Sequence, residues 1–460
     1  MLRSTTSSTL YQARAIRNVY RAPGRVLACG DGSVPQAVRS PLRLRIQRRS
    51  YVVAANHSVT PIEKILLDTI KVTGPISFGT YMQMCLSHPT EGYYMKSSQQ
   101  VFGEKGDFTT SPEISQVFGE LAGIWLLSQW LYAGNSRKLR LVELGPGRGT
   151  LMHDILRVLS QFSAAREAIE AVHLVETSPN MQQRQDEKLS PLALKHKWDV
   201  QWHTSIEEVP HDPSRFTLLV AHEFFDALPF NLIQKTQQGW QEVLIAAADS
   251  AQPTDLTASS LNVDTTLDRK REPTTSPSKP PSRFRRVLSR LPTASSTLLG
   301  LSSSRLKDLP MGSHVEISPT AFKIARKVGE LVQDPESKGE SSAGSALVVD
   351  YGRRRHSEIR IQGHKIVDVF DRPGECDLTV NVDFAYLKEA LAGVATPLGP
   401  LAQGSFLTHM GLAARIEKAA NRLVDKTGMG SQYQVMGVVG ARRDENSVRV
   451  EERWPFVQDA

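Results

Sequence analysis

The chain has 460 residues, 40% of them apolar, and a formal net charge of +7. That length exceeds one core of ordinary size and predicts two domains or one large elaborated domain. No apolar run approaches the roughly 20 residues of a membrane-spanning helix, and the three cysteines, Cys29, Cys85 and Cys376, lie too far apart in sequence for a disulfide framework or a thiolate metal site.

Residues 1–50 hold ten arginines, no lysine, no glutamate and one aspartate, Asp31. An Arg-rich, Ser-rich, acid-poor start is the signature of a mitochondrial transit peptide, so residues 1–51 are read as a disordered presequence with a processing point around Arg48-Arg49-Ser50-Tyr51. Taking away those ten positive charges and one negative leaves the rest of the chain near −2. The basic balance therefore belongs to this segment and not to a nucleic-acid surface; a basic tail for RNA or anionic membrane is the alternative.

Pro61–Lys71 predicts a helix with Ile62, Ile65, Leu66 and Ile70 on one face, and a second helix runs from about Ser77 to before His88-Pro89. A glycine-rich loop from Phe102 to Thr110 leads into Ser111-Pro112-Glu113, which reads as a helix start with Ser111 as N-cap and continues to Trp130. Short apolar runs then alternate with helical patterns. Leu141–Leu144, Val172–Glu176, Val200–Trp202 and Leu218–Ala221 are strand candidates, with helices from Thr150 and Pro179. Such alternation predicts an α/β fold with a mainly parallel sheet.

Residues 249–282, rich in Pro, Ser, Thr and Asp, predict a disordered insertion. Structure resumes at Arg285–Leu288, a helix at Pro319–Val332, a strand at Ala346–Asp350 and a strand pair within Met429–Gly440. The expected division is a helical region at 58–135, a core at 136–248 continued at 283–445, and a tail at 446–460.

The segment Glu143-Leu144-Gly145-Pro146-Gly147-Arg148-Gly149 ends a strand in an acid and enters a turn with three alternate glycines. Glycine permits backbone angles closed to other residues and leaves room for a ligand to approach. A dinucleotide fingerprint would place its third glycine at position 150, which is Thr150, and the Gly-Lys-Ser/Thr ending of a phosphate loop is absent. E-x-G-x-G-x-G instead resembles the turn of class I methyltransferases, implying S-adenosyl-L-methionine. Gly145, Gly147 and Gly149 then make space for the ligand, and Glu143 orients its amino group. Glu176, at the tip of the next strand, is placed to accept from the ribose hydroxyls.

After the fourth strand candidate comes His222-Glu223-Phe224-Phe225-Asp226-Ala227-Leu228-Pro229. Glu223 and Asp226 are candidate catalytic residues. A carboxylate aligns an arginine guanidinium by paired hydrogen bonds and stabilises its charge as nitrogen attacks a methyl group. The bland alternative is a loop whose acids cap a helix and whose phenylalanines are core. No His/acid metal cluster of recognisable spacing occurs.

Several segments in order resemble the MidA-type mitochondrial protein arginine methyltransferase family. They are Gly106–Glu113 through Glu120, Leu141–Leu151, Val175–Pro179, Glu223–Pro229, Val349–Gly352, His364-Lys365, Pro373-Gly374 with Asp377–Thr379, Val382–Phe384 and Gly404–Leu407, spanning about residues 60–440. The resemblance implies a seven-stranded, Rossmann-like class I methyltransferase core with an N-terminal helical cap and a C-terminal elaboration. It also implies location in the mitochondrial matrix, methylation of an arginine on a core subunit of respiratory complex I, a role in complex I assembly, and a loop from Asp107 to Glu113 that closes over the cofactor. Asn381 and the stretch Ser357–Gly363 depart from the family pattern. A methyltransferase with a small-molecule or RNA acceptor, and a non-catalytic assembly chaperone, are the rival readings.

Overall fold

The computed structural model describes residues 59–96, 110–248, 282–334, 342–352, 359–362, 365–366, 368–412, 420–426, 428–440 and 453–457. The presequence, the insertion from 249 to 281 and the loop residues Asp107–Thr109 lie outside them.

Seven strands form the central sheet: β1 (Lys138–Leu144), β2 (Ile169–Val175), β3 (Asp199–His203), β4 (Arg215–His222), β5 (Gly344–Tyr351), β6 (Ala395–Ala402) and β7 (Tyr433–Gly440). Their order is 3-2-1-4-5-7-6. All neighbours from β3 to β5 are parallel, and β7 runs antiparallel between β5 and β6. The inner strands are near-continuous apolar runs because helices cover both faces; in β1 every residue but Lys138 is buried. Its buried guanidinium, Arg140, is kept inside by Thr217 Oγ1, which accepts from Nε at 2.8 Å.

Seven helices matter for the site: α1 (Pro61–Thr73), α2 (Phe78–Ser87), α3 (Gln116–Tyr132), α4 (Thr150–Leu159), α5 (Pro179–His196), α6 (Pro319–Val332) and α7 (Phe384–Leu391). α1 starts with a capping box: Thr60 accepts from Glu63 N at 3.0 Å, and Glu63 Oε2 accepts from Thr60 N. α3 is buried on almost every face and packs against α4 and the central sheet. Near the chain's end, the carbonyl of Trp454 accepts from Trp125 Nε1 and Phe456 meets the Trp125 ring edge-on.

Three sequence expectations change. Ser111 is not the N-cap of a long helix, because Ser111–Ile114 is a separate four-residue turn capped at Thr110. The chain then becomes extended at Ser115 (φ −157°), whose hydroxyl accepts from Val117 N and caps α3 instead. Met429–Gly440 is not a strand pair but one helical turn, Met429–Gln432, followed by β7, whose partners β5 and β6 are distant in sequence. The chain between β4 and β5 also contributes four strands, Asn231–Thr236, Gly239–Ala247, Phe284–Leu288 and His314–Ile317, of which the sequence pattern marks only Arg285–Leu288. With Ile76–Ser77 they form a second, antiparallel sheet. α1 and α2 pack on this sheet, burying Ile62, Leu66, Tyr81 and Met82 against Phe230, Val243, Ile245 and Phe284.

Candidate active site

The chain leaves β1 toward β2 and β3 on one side, then returns to β4 on the other, so a crevice opens between the carboxyl ends of β1 and β4. Leu144 and Ala221 are register partners there, which sets the glycine turn beside the Glu223 loop. A cavity of about 660 Å³ occupies the crevice. It is lined by Glu143, Gly145, Gly147, Glu176, Glu223 and Asp226, so six of the seven residues singled out from the sequence meet in one space. Gly149 is not among the lining residues. It sits at φ +75° as the residue before α4, and turns the chain into that helix.

Gly145 is at φ +63°, and a Cβ there would lie 2.9 Å from Phe224 Cδ2. Its N–H donates to the carbonyl of Val175, tying the turn to β2. Gln185, buried on α5, braces the same region. Its Nε2 donates to the carbonyl of Gly147 at 2.7 Å and to Glu176 Oε2 at 3.1 Å, while its Oε1 accepts from Trp202 Nε1. Glu176 also accepts from Ser178 N at 2.8 Å through Oε1. Arg148 pairs with Glu113, docking the Ser111–Ile114 turn on the glycine turn.

Glu143 is only 2% exposed, and its Oε2 has no hydrogen-bond partner among the described residues. Burial pushes its carboxyl up to about 8, and the nearby Glu176 adds to the rise, while the Met152 amide opposes it. A buried carboxylate oxygen without a partner costs stability unless a ligand satisfies it. A hydrogen-bond donor of a ligand, such as the primary ammonium at the amino-acid end of S-adenosyl-L-methionine, has the chemistry to do so.

On the facing side, Glu223 has a left-handed backbone, φ +49°, rare for a residue with a side chain. Asp350, at the end of β5, holds it. Asp350 Oδ2 accepts from three successive amides, Phe224 at 3.2 Å, Phe225 at 2.9 Å and Asp226 at 3.3 Å, and Oδ1 accepts from Tyr351 N. The Glu223 amide donates to Val349 O at 2.9 Å. Glu223 Oε1 accepts from the Tyr433 hydroxyl at 2.9 Å, and that hydroxyl also hydrogen-bonds Tyr351. Phe225 is core, as the bland reading had it, whereas Phe224 is half-buried and faces the cavity.

Burial raises the Glu223 carboxyl to about 8, with Asp350, Asp377 and Glu113 adding to it. Asp226 is also raised well above the usual carboxylate range, by burial and then by Asp350, Glu223 and Asp377. Among the described residues no lysine or arginine pairs with Glu223 or Asp226; the imidazole of His222 lies 3.7 Å from Glu223 and burial keeps it neutral. Carboxyl groups crowded without a counter-ion hold their protons more tightly, and a cation bound beside them reverses that shift.

The sequence reading gave no role to Asp350, Asp377, Tyr94, His222 or Tyr433. Asp350 carries the signal that exposed Glu143, an acid near the end of a core strand. The tyrosines come from distant segments and had no such signal. Asp350→Ala should lower stability by about 3 kcal/mol, since it strands three amides, two of them buried; chemical denaturation measures the loss, and an unchanged midpoint would contradict the bracing role.

A family model described as "Putative S-adenosyl-L-methionine-dependent methyltransferase" matches residues 121–401. The chain is 36% identical over 417 residues to "Protein arginine methyltransferase NDUFAF7, mitochondrial" of Danio rerio, a match covering 83% of this chain and 87% of that one. It is 35% identical to the Homo sapiens protein of the same name, with coverage of 87% and 84%, and 34% identical to the Drosophila melanogaster homolog, with 84% and 87%. Its fold is similar to the crystal structure of a Burkholderia thailandensis protein bound to S-adenosyl-homocysteine, with a TM-score of 0.62 and 23% identity over 82% of this chain and 91% of that one.

Proposed function

This chain belongs to the S-adenosyl-L-methionine-dependent methyltransferase family that includes the mitochondrial NDUFAF7 proteins, and we propose that it methylates an arginine on a core subunit of complex I in the mitochondrial matrix, as a step in complex I assembly. The observation that carries the acceptor reading is the pair of Glu223, whose side chain is 8% exposed, and buried Asp226, without a lysine or arginine partner among the described residues, in the same cavity as Glu143. An acidic acceptor side suits a guanidinium and repels RNA phosphates, in keeping with the near −2 balance beyond residue 50.

S-adenosyl-L-methionine supplies an electrophilic methyl group when bound. In this reading Glu143 takes its ammonium, Glu176 its ribose hydroxyls, and the turn at Gly145 and Gly147 leaves it room, while Gly149 turns the chain into α4. Glu223 and Asp226 hold the acceptor guanidinium by charge-assisted hydrogen bonds, fixing one nitrogen in line for attack. That nitrogen sheds a proton as it is methylated, and the Glu223 carboxylate, raised toward neutrality, is suited to receive it. Asp350 and Tyr433 keep that carboxylate in place.

Incubation of the chain with labelled S-adenosyl-L-methionine and matrix extract tests the proposal. Label on arginine of a complex I subunit is expected; label confined to RNA or a metabolite would overturn it.

A pH dependence follows. Below about pH 8 Glu143 carries a proton in the free protein, which it must lose to pair with an ammonium. The dissociation constant for S-adenosyl-homocysteine should therefore fall, by up to roughly tenfold per pH unit, between pH 6 and 8. Calorimetry in two buffers should show proton release, and Glu143→Gln should flatten the profile. A pH-independent affinity in the unmodified chain would exclude this role.

A further inference from the structure

Building on the arginine reading, we propose that Asp377, set in place by Tyr94, is a third acceptor-binding carboxylate and makes the cavity selective for a guanidinium over an ammonium. Asp377 opens the short strand Asp377–Thr379, well beyond β5 in sequence, and is 1% exposed. Val380, just past that strand, donates its amide to the carbonyl of Asp226 at 3.1 Å, which fastens this segment alongside the Glu223–Asp226 loop. Tyr94, following α2, donates its hydroxyl to Asp377 Oδ1 at 2.6 Å. Its ring is set edge-on against Tyr93, with centroids 5.2 Å apart. Tyr94 and Asp377 both line the cavity that holds Glu223 and Asp226.

The arrangement brings carboxylates from two separate segments to one cavity. A compact ammonium is neutralised by one or two carboxylates and has no planar edges to match. A guanidinium is planar and carries five N–H donors directed along its edges, so acids approaching from different sides can each take an edge. His222 supplies an independent sign of a ligand here: its Nε2 is buried without a hydrogen-bond partner among the described residues, and the side chain lines the same cavity. The Tyr94 phenol is raised well above its ordinary value by burial and then by Asp377, so it stays a hydrogen-bond donor across the working pH range. Its role is positioning, since it acts through Asp377.

The test compares the unmodified chain with Asp377→Asn and Tyr94→Phe, following arginine label in matrix extract against extract concentration, together with S-adenosyl-homocysteine affinity. Asp377→Asn should raise the half-saturating acceptor concentration roughly 10- to 100-fold, and Tyr94→Phe roughly 3- to 10-fold, with cofactor affinity unchanged. Agmatine should inhibit the unmodified chain more strongly than cadaverine, and Asp377→Asn should lose that preference. Unchanged acceptor dependence in a folded Asp377→Asn chain would overturn this inference and leave the arginine reading standing. If Asp377→Asn does not fold, unchanged acceptor dependence in Tyr94→Phe overturns it instead. Transfer by the unmodified chain to a non-arginine acceptor would bring down both.

Discussion

Glu223→Gln should reduce methyl transfer roughly 10²- to 10³-fold while S-adenosyl-homocysteine still binds within about threefold of normal. The amide keeps the size of the carboxylate and can still accept from Tyr433. What it loses is the negative charge facing the acceptor and the capacity to take up a proton. Removing one preorganised electrostatic contact to the transition state costs a factor of this order. Asp226→Asn should act in the same direction, and the double variant should fall short of the product of the two, because both would act on one bound group. Rates with labelled S-adenosyl-L-methionine, beside cofactor affinity, check this. Full activity in both single variants would remove these residues from the acceptor site.

Gly145→Val should weaken S-adenosyl-homocysteine binding by roughly 100-fold or more. The position requires φ +63°, where a β-branched residue is strained by about 1–3 kcal/mol. Its Cβ would also meet Phe224 Cδ2 at 2.9 Å. Phe224 adjoins Glu223 in sequence, so relief of that clash moves either the glycine turn or the acceptor loop. Both sides of the cavity then lose their setting. Calorimetry measures the loss, and a Gly145→Val chain binding within threefold of normal would show that the turn does not contact the cofactor.

The inner strands of the central sheet were legible because they are buried on both faces and read as apolar runs. Glu143 is the penultimate residue of β1 and Glu176 directly follows β2, and those two positions with the glycines between them were enough to suggest the ligand. The second sheet was less legible. Asn231–Thr236 and Gly239–Ala247 mix polar and apolar residues in a hairpin, and their burial depends on α1 and α2, which lie more than 140 residues earlier. The acceptor side was legible only in part. Glu223 and Asp226 stand in one short motif, but the left-handed backbone at Glu223 has no sequence signal, because glutamate is an unusual choice there. It exists because Asp350, 127 positions later, gathers the following amides. Ser111 misled for a local reason: Ser-Pro-Glu has the composition of a helix start, yet Ser115 offers a second cap four residues on and breaks the helix there.

The most direct measurement is a crystal structure of the chain with S-adenosyl-homocysteine. The ligand's amino group should lie within hydrogen-bond distance of Glu143 Oε2 and its ribose beside Glu176, with the sulfur turned toward Glu223 and Asp226. A ligand bound with its amino-acid end away from Glu143, or with its sulfur facing away from the Glu223 loop, would contradict a single cavity that holds both cofactor and acceptor.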